Sequence, residues 1–362
     1  MAKIAFMKTP QSQEEPIPAK FRTPVNWQNK RVLVTGGTSF IGSGLVDALV
    51  ARGAKVRVVD DLSTGRYEYI SQHVKSADVE FITGDLLDPS VAARSVKNIE
   101  FLFHLAAIHG GRGYVDLHNV ECSMNLILDR QLFHEAVKAN VEKIIFASSG
   151  CVYPNYLQTD TQQELYLTEN LAGPPYDADN MYGWAKLMGE LTLQQYAERG
   201  WLRTASCRYF TVYGPRGKED HAVIAMIARA FIRQNPFEVW GTGEQIRNWT
   251  YIDDIVEGTI LAAERIDNGT AVNLGTTERI RVADAAAMIL RHMDVQVPLK
   301  FLPHMPTGPY NRVASNQLAK ERLDWKPHTL FREGIQRTID WYVNNRNHEQ
   351  VRANLESLLI ER

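Results

Sequence analysis

The sequence predicts an α/β protein, with a doubly wound parallel sheet and a smaller mixed α/β lobe. Three observations carry this prediction. Short β-rich apolar runs alternate with helix-periodic segments from Arg31 to about Arg208. A glycine turn stands between the first run and the first helical segment. Beyond Arg208 the alternation loosens, and proline, glycine and aromatic residues become more frequent.

In chain order, residues 1–29 are polar and proline-bearing and read as an N-terminal extension outside the core. Arg31-Val32-Leu33-Val34-Thr35 is a buried-strand run, and Ile41 to Ala51 follows with helical periodicity. Lys55–Asp60, Val79–Thr83, Phe101–Leu105 and Lys143–Ser148 are further strand runs, and Met124–Ala139 is a helical stretch between the last two. Strands and helices alternating at this spacing imply a parallel sheet covered on both faces. The expected organisation is the extension, a nucleotide-binding domain over residues 30–207 and a second lobe mainly over 208–345. That lobe interleaves with the first domain and ends in helices at Val282–His292 and Phe331–Asn344; residues 346–362 form a helical tail. A chain of 362 residues suits two such units.

Composition excludes several classes. A formal charge of -2 gives no reason to expect nucleic acid or an anionic membrane surface as a partner. No apolar run approaches the roughly 18–20 residues of a membrane span, and Met1 to Lys20 lacks the apolar core of a signal peptide. Cys122, Cys151 and Cys207 form no CxxC pair, so neither a disulfide framework nor a metal site is expected, and a reducing cytoplasm is the expected location.

The turn Thr35-Gly36-Gly37-Thr38-Ser39-Phe40-Ile41-Gly42 joins the first strand to the first helix. Glycines there let the backbone approach a pyrophosphate held at the helix N-terminus, the Rossmann arrangement. Ser39 occupies the place of the middle glycine. Asp60, closing the second strand, is placed to accept hydrogen bonds from both adenosine ribose hydroxyls, and its charge repels a 2′-phosphate. NAD is therefore favoured over NADP, with Arg66 read as a solvated side chain. Asp85 in Gly84-Asp85-Leu86 stands either near the adenine or at a helix N-cap. Tyr182 and Lys186 are four apart on one helix face, where an ammonium favours the phenolate and lowers the tyrosine pKa. A serine from a neighbouring strand would share the proton of a substrate hydroxyl with that phenol. Beside a nicotinamide such a set oxidises an alcohol.

Taken in order, the glycine turn, Asp60-Asp61-Leu62-Ser63, Gly84-Asp85-Leu86, His104-Leu105-Ala106-Ala107, Ser148-Ser149 and Tyr182-xxx-Lys186 resemble the extended short-chain dehydrogenase/reductase family. Arg208 to Pro215, Tyr251-Ile252-Asp253-Asp254 and Leu323 to Pro327 continue the resemblance, which spans about residues 30–345. It implies a nucleotide-sugar enzyme on tightly held NAD, with Ser149, Tyr182 and Lys186 as the oxidoreductive triad. It also implies cofactor contacts from Gly36, Ser39, Phe40, Ile41, Gly42, Asp60, Asp85, Leu86 and Ala106, and a homodimer through the Tyr182 and Met124–Ala139 helices.

The position before Val152-Tyr153-Pro154 separates the chemistries. Dehydrating and decarboxylating members carry a glutamate there; this chain has Cys151. The segment resembles GDP-mannose 3,5-epimerases and, less closely, GDP-fucose synthases, which implies that Cys151 exchanges a proton beside a keto group. His221 falls at the acid/base position of the synthases, with Lys218 as runner-up. Gly110, Gly111 and Arg112 resemble the loop that meets the hexose, where Arg112 faces a hydroxyl or a carboxylate or is solvated. Trp240, Arg247 and Arg312 match the positions that clamp the diphosphate, and Trp240 favours a GDP-hexose. Thr211 replaces an asparagine, and the stretch from Gly214 to His221 is shorter than in the 3,5-epimerases. The expectation is a nucleotide-sugar epimerase of the GDP-mannose 3,5-type. The alternatives are a UDP-hexuronic acid 4-epimerase or decarboxylase, or a catalytically idle NAD-binding interaction module.

Overall fold

The computed structural model describes residues 25–360. Seven parallel strands form the central sheet, in the order Asn268–Leu274, Arg203–Tyr209, Lys143–Ser149, Phe101–His104, Arg31–Thr35, Lys55–Asp60, Val79–Thr83. Register is continuous across its middle: Val32, Leu33, Val34 and Thr35 pair with Val56 to Val59 on one side and with Phe101 to His104 on the other. These runs are buried on both faces, which is why they read as continuous apolar stretches rather than alternating ones. The sheet runs outward in both directions from Arg31–Thr35 and Phe101–His104, so the chain reverses its winding between them. Such a switch point leaves a crevice beyond the carboxyl ends of the strands.

Two strands of this sheet are not evident from the apolar runs. Arg203–Tyr209 pairs with Lys143–Ser149, and Asn268–Leu274 adds to its far side after a register shift between Asn268 and Ala271. The chain thus returns to the large sheet well after Arg208. The second lobe is built from short pairs. Phe237–Trp240 lies parallel to Leu299–Leu302, and Ile246–Arg247 sits between Ile280–Arg281 and Asn311–Arg312. The helices Ala222–Phe231, Val282–His292 and Phe331–Asn345 cover these strands. The helix His348–Ile360 packs Val351, Leu355 and Leu359, spaced four apart, into the same core.

One expectation is corrected here. The sequence puts an extension outside the core over residues 1–29; residues 1–24 lie outside the described residues, but Trp27 is a core residue. It is 4% exposed, meets Phe101 edge-on at 5.1 Å, and donates its indole N–H to Glu264 at 2.7 Å. A lone tryptophan in a polar stretch gives no periodicity to read, and its partners are distant in sequence. Replacing Trp27 with alanine is expected to lower stability by about 3–5 kcal/mol, measured by thermal or denaturant unfolding, with Trp27→Phe losing much less.

Candidate active site

At the switch point Gly36 takes φ +67°, and a Cβ there would lie 3.0 Å from the Ala106 backbone nitrogen. Ser39, by contrast, is extended at φ -76° and ψ 177°, a conformation open to any residue, which accounts for a serine in the middle-glycine place. Its hydroxyl donates to Gly36 O at 2.6 Å and accepts from Gly42 N at 3.3 Å, capping the Phe40–Ala51 helix. A Cβ on Gly42 would fall 2.1 Å from Gly36 O. Gly42 therefore lets the helix close on the turn rather than lining the cleft.

The Asp60 carboxylate is fixed by Thr38 N at 3.0 Å and Leu62 N at 2.9 Å. It lines a cavity with Gly36, Ser39, Asp85, Leu86 and Ala106. Asp85 is not a helix cap: it accepts from Leu87 N at 2.8 Å, while Asp88 caps Pro89–Ser95. A glycine cradle that a side chain would fill, a helix N-terminus at Phe40 and a tethered carboxylate together fit a dinucleotide. Ser39, Thr64, Leu105, Ala107 and His109 also line the larger neighbouring cavity, so the two form one groove.

Ser149, Cys151, Tyr182, Lys186 and His221 all line that larger cavity, with Phe40, Ile41, Gly110, Gly111, Arg112, Trp240, Arg247 and Arg312. Successive residues of a strand face opposite ways, and this decides between the two serines. Ser148 turns to the buried Glu190, which also binds Arg208. Ser149 turns to the cavity, where its hydroxyl accepts from Cys151 N at 3.1 Å and hydrogen-bonds the Tyr182 phenol. Lys186 is buried, its ammonium 4.6 Å from the Phe146 ring centroid and 5.7 Å from that of Tyr182. The expected depression of the tyrosine pKa is not found. Burial pushes the Tyr182 phenol well above its ordinary range, with Ser149 opposing, and burial pushes the Lys186 ammonium down, with Asp129 and Glu190 opposing. At the phenol Cys151, Cys122 and Asp129 add to burial, and at the ammonium burial outweighs the two carboxylates.

Beneath this pair the proton positions are determined by valence. Thr35 Oγ1 accepts from Leu105 N and Ala106 N, so its own proton goes to His104 Nδ1 at 2.8 Å. His104 Nε2 then donates to Asp129 at 3.0 Å. Burial holds that imidazole neutral against the pull of Asp129.

The Cys151 turn is held by groups absent from the sequence-derived set. Asp179 N donates to Cys151 O at 2.8 Å, and a Cβ on Gly183 would lie 2.3 Å from the same oxygen, so the start of the Asn180–Glu198 helix packs directly on this turn. The Asp179 carboxylate binds Arg112 at 2.7 Å and Arg312 at 3.0 Å, and Arg312 in turn reaches Cys151 Sγ at 3.3 Å. Burial raises this carboxyl, but Arg312 and Arg112 outweigh it and hold it below the usual carboxylate range. Arg112 is further paired with Asp116. Among the described residues Arg247 has carbonyl partners only, Ile246 O and Thr307 O, and burial with Arg312 and Arg112 nearby pushes its guanidinium pKa down. The wall thus carries more cation than anion.

The glycine pair serves a different purpose from the one expected. Gly111 N donates to Asp220 Oδ2 at 2.8 Å, and a Cβ on Gly111 would fall 1.7 Å from Asp220 O. The glycines let the loop dock on the segment that carries His221, so the Gly111 N–H is engaged rather than offered to a ligand. His221 Nε2 lies 3.8 Å from Asp220 Oδ1. Lys218, the runner-up, lines the same cavity. Thr211 lines it at φ +25°, a region that asparagine enters more easily than threonine.

A family model described as the NAD dependent epimerase/dehydratase family matches residues 32–275. The chain belongs to this family. Its cofactor is NAD, and its members in this branch are nucleotide-sugar enzymes. The chain is 28% identical over 316 residues to GDP-mannose 3,5-epimerase 1 of Oryza sativa subsp. indica, covering 86% of this chain and 81% of that one. It is 31% identical over 321 residues to a UDP-N-acetyl-alpha-D-glucosaminuronate decarboxylase of Bacillus cytotoxicus, covering 86% and 98%. The UDP-glucose 4-epimerase of Thermus thermophilus, solved in complex with NAD, superposes with a TM-score of 0.77 at 27% identity, covering 87% of this chain and 99% of that one.

Within this family site, Asp179 makes a testable contribution to stability. Its folded pKa is lowered, so its stabilisation is complete above the unfolded value of about 3.9 and is lost as pH falls through the folded value. Asp179→Asn is expected to cost about 3 kcal/mol at neutral pH by leaving the buried Arg312 guanidinium without its carboxylate, while Arg112 keeps Asp116. The gap from wild type should narrow below about pH 4, read from unfolding curves across pH.

Proposed function

We propose that the protein epimerises a nucleotide-diphosphate hexose of the GDP-mannose type, by transient oxidation at C4 and proton exchange at C3 and C5. The observation that carries this reading is a thiol and an imidazole, Cys151 and His221, lining one cavity with the Ser149–Tyr182–Lys186 set. A ketone at C4 acidifies its neighbouring C–H bonds, and a thiol and an imidazole suit taking and returning those protons on opposite faces of the ring. NAD, when bound, supplies the acceptor for the hydride lost from C4 and returns it. Tyr182 takes the C4 hydroxyl proton in its phenolate form, which the positive charge of a bound nicotinamide would favour, with Ser149 orienting that hydroxyl. Arg247 and Arg312 bind the diphosphate, whose charge offsets the cationic wall.

Two features weigh against a hexuronic acid decarboxylase or 4-epimerase. Arg112 is neutralised by Asp116 and Asp179, so it does not await a sugar carboxylate. The glutamate of the dehydrating and decarboxylating members is replaced by Cys151. Incubation with GDP-mannose in heavy water tests the reading by NMR. Deuterium is expected at C3 and C5, and none at either carbon would overturn it. Cys151→Ser should lower that exchange by about 10²–10⁴-fold, the range for a general acid–base group, while still reducing bound cofactor; Tyr182→Phe should abolish both.

The same reading includes a cytoplasmic homodimer. Val120, Ile127, Trp184 and Met188 are exposed apolar side chains on neighbouring helices, including the Asn125–Lys138 and Asn180–Glu198 pair of the expected interface. A second copy covering this face would bury one continuous apolar patch. Analytical ultracentrifugation is expected to give twice the 41.0 kDa chain mass, and Ile127→Glu with Met188→Glu to give the monomer.

A further inference from the structure

His109 stands where the two cavities meet, lining both the groove towards Asp60 and the cavity of Tyr182, Cys151 and His221. Its ring centroid lies 6.0 Å from that of Tyr182 and 6.2 Å from that of His221. A phenol and two imidazoles therefore form a row along one wall. Beside the row is Asp220, whose Oδ2 accepts the Gly111 N–H and whose buried Oδ1 has no hydrogen-bond partner among the described residues. Burial raises this carboxyl, but His221, Lys218, the Gly111 N–H and His109 together hold it below its ordinary range, so it is ionised. This sets a carboxylate alongside two imidazoles, each with two ring nitrogens able to give or take a proton, so the pair is suited to pass one proton along the wall.

We propose that His109 is a further proton-transfer residue that reloads His221 during turnover. The proposal rests on the epimerase reading above. In each inversion one proton leaves carbon for the Cys151 thiolate, and His221 gives one to the opposite face of the same carbon. His221 is then neutral and must regain a proton before it can act again. His109, beside Asp220, passes its proton to His221 and is itself reprotonated from water, while Cys151 returns to water the proton it took from carbon, so no net proton is consumed. No electrons move, and the positive charge shifts from one imidazole to the other.

The test uses His109→Ala with NAD bound and GDP-mannose in heavy water. Reduction of bound cofactor on adding sugar should stay within about threefold of wild type, because the oxidation centre is intact. Deuterium incorporation into carbon should fall about a hundredfold, the lower end for a general acid–base group. Free imidazole in the buffer should restore it, which a merely structural role would not allow. His109→Gln, which keeps bulk and polarity, should show the same loss. Incorporation within about twofold of wild type in either variant, or no restoration by imidazole, overturns the proposal. Absence of exchange in the wild-type protein would instead overturn the epimerase reading and this proposal with it.

Discussion

The Asp179 carboxylate is the constraint on which the site depends. It lies just ahead of the Asn180–Glu198 helix, in a capping position, yet makes no side-chain cap bond because Arg112 and Arg312 occupy it. Three segments meet there: the short Arg112–Leu117 helix after the fourth sheet strand, the Asn311–Arg312 strand of the second lobe, and the helix carrying Tyr182 and Lys186. Its backbone N–H also fixes Cys151 O. One buried anion therefore sets the distance between thiol, phenol and the second lobe. A buried carboxylate is costly without compensation, and its two guanidiniums supply that compensation while bringing Arg312 to the Cys151 sulfur.

The remaining charge follows from this arrangement. Arg112 and Arg312 draw on Asp179 and Asp116, so among the described residues Arg247 stays buried between carbonyls with no carboxylate of its own. Arg229, on the wall of the same cavity, is also buried, stands 5.9 Å from the Trp240 ring centroid, and has an Nε without a partner among the described residues. Such a wall is held at a cost in stability that a dianionic ligand removes. The backbone geometry acts in the same direction. Gly36, Gly42, Gly111 and Gly183 each sit where a Cβ would strike another segment's backbone, or in Gly42 that of its own turn, so the loops around the groove are pressed together. The groove is consequently closely packed at the glycine turn and charged on the wall of Arg229 and Arg247.

What could be read from sequence was whatever is local. The first five sheet strands are short apolar runs, and the glycine turn, Asp60, Ser149 and the Tyr182–Lys186 spacing are each contained within a few residues. Asn268–Leu274 was not readable, because Asn-Gly-Thr at its start resembles a turn and its place is set by pairing with Arg203–Tyr209. Trp27 gives no sign of its burial because its partners Phe101 and Glu264 are far along the chain. Asp179 and Asp220 escape a sequence reading for the same reason: their meaning lies in bonds to Arg112, Arg312 and Gly111, from 67 to 133 positions away. Gly111 stands out in the sequence, but its function as a docking point for Asp220 does not.

The Tyr182–Lys186 pair illustrates how far spacing alone can mislead. On an exposed helix an ammonium four residues away would favour the phenolate. In the folded protein Lys186 lies buried over Phe146, and burial drives both groups towards their neutral forms. The phenol then becomes a phenolate able to take a proton only when the surroundings supply more positive charge or better hydrogen bonds. Ser149 offers one such bond, and Asp129, held by His104 and through it by Thr35, supports the ammonium form of Lys186 from below. Burial, with Cys151, Cys122 and Asp129 adding to it, raises the proton affinity of Tyr182. Of these neighbours Asp129 is anchored through His104 to Thr35, at the same switch point where the sheet opens the dinucleotide cleft.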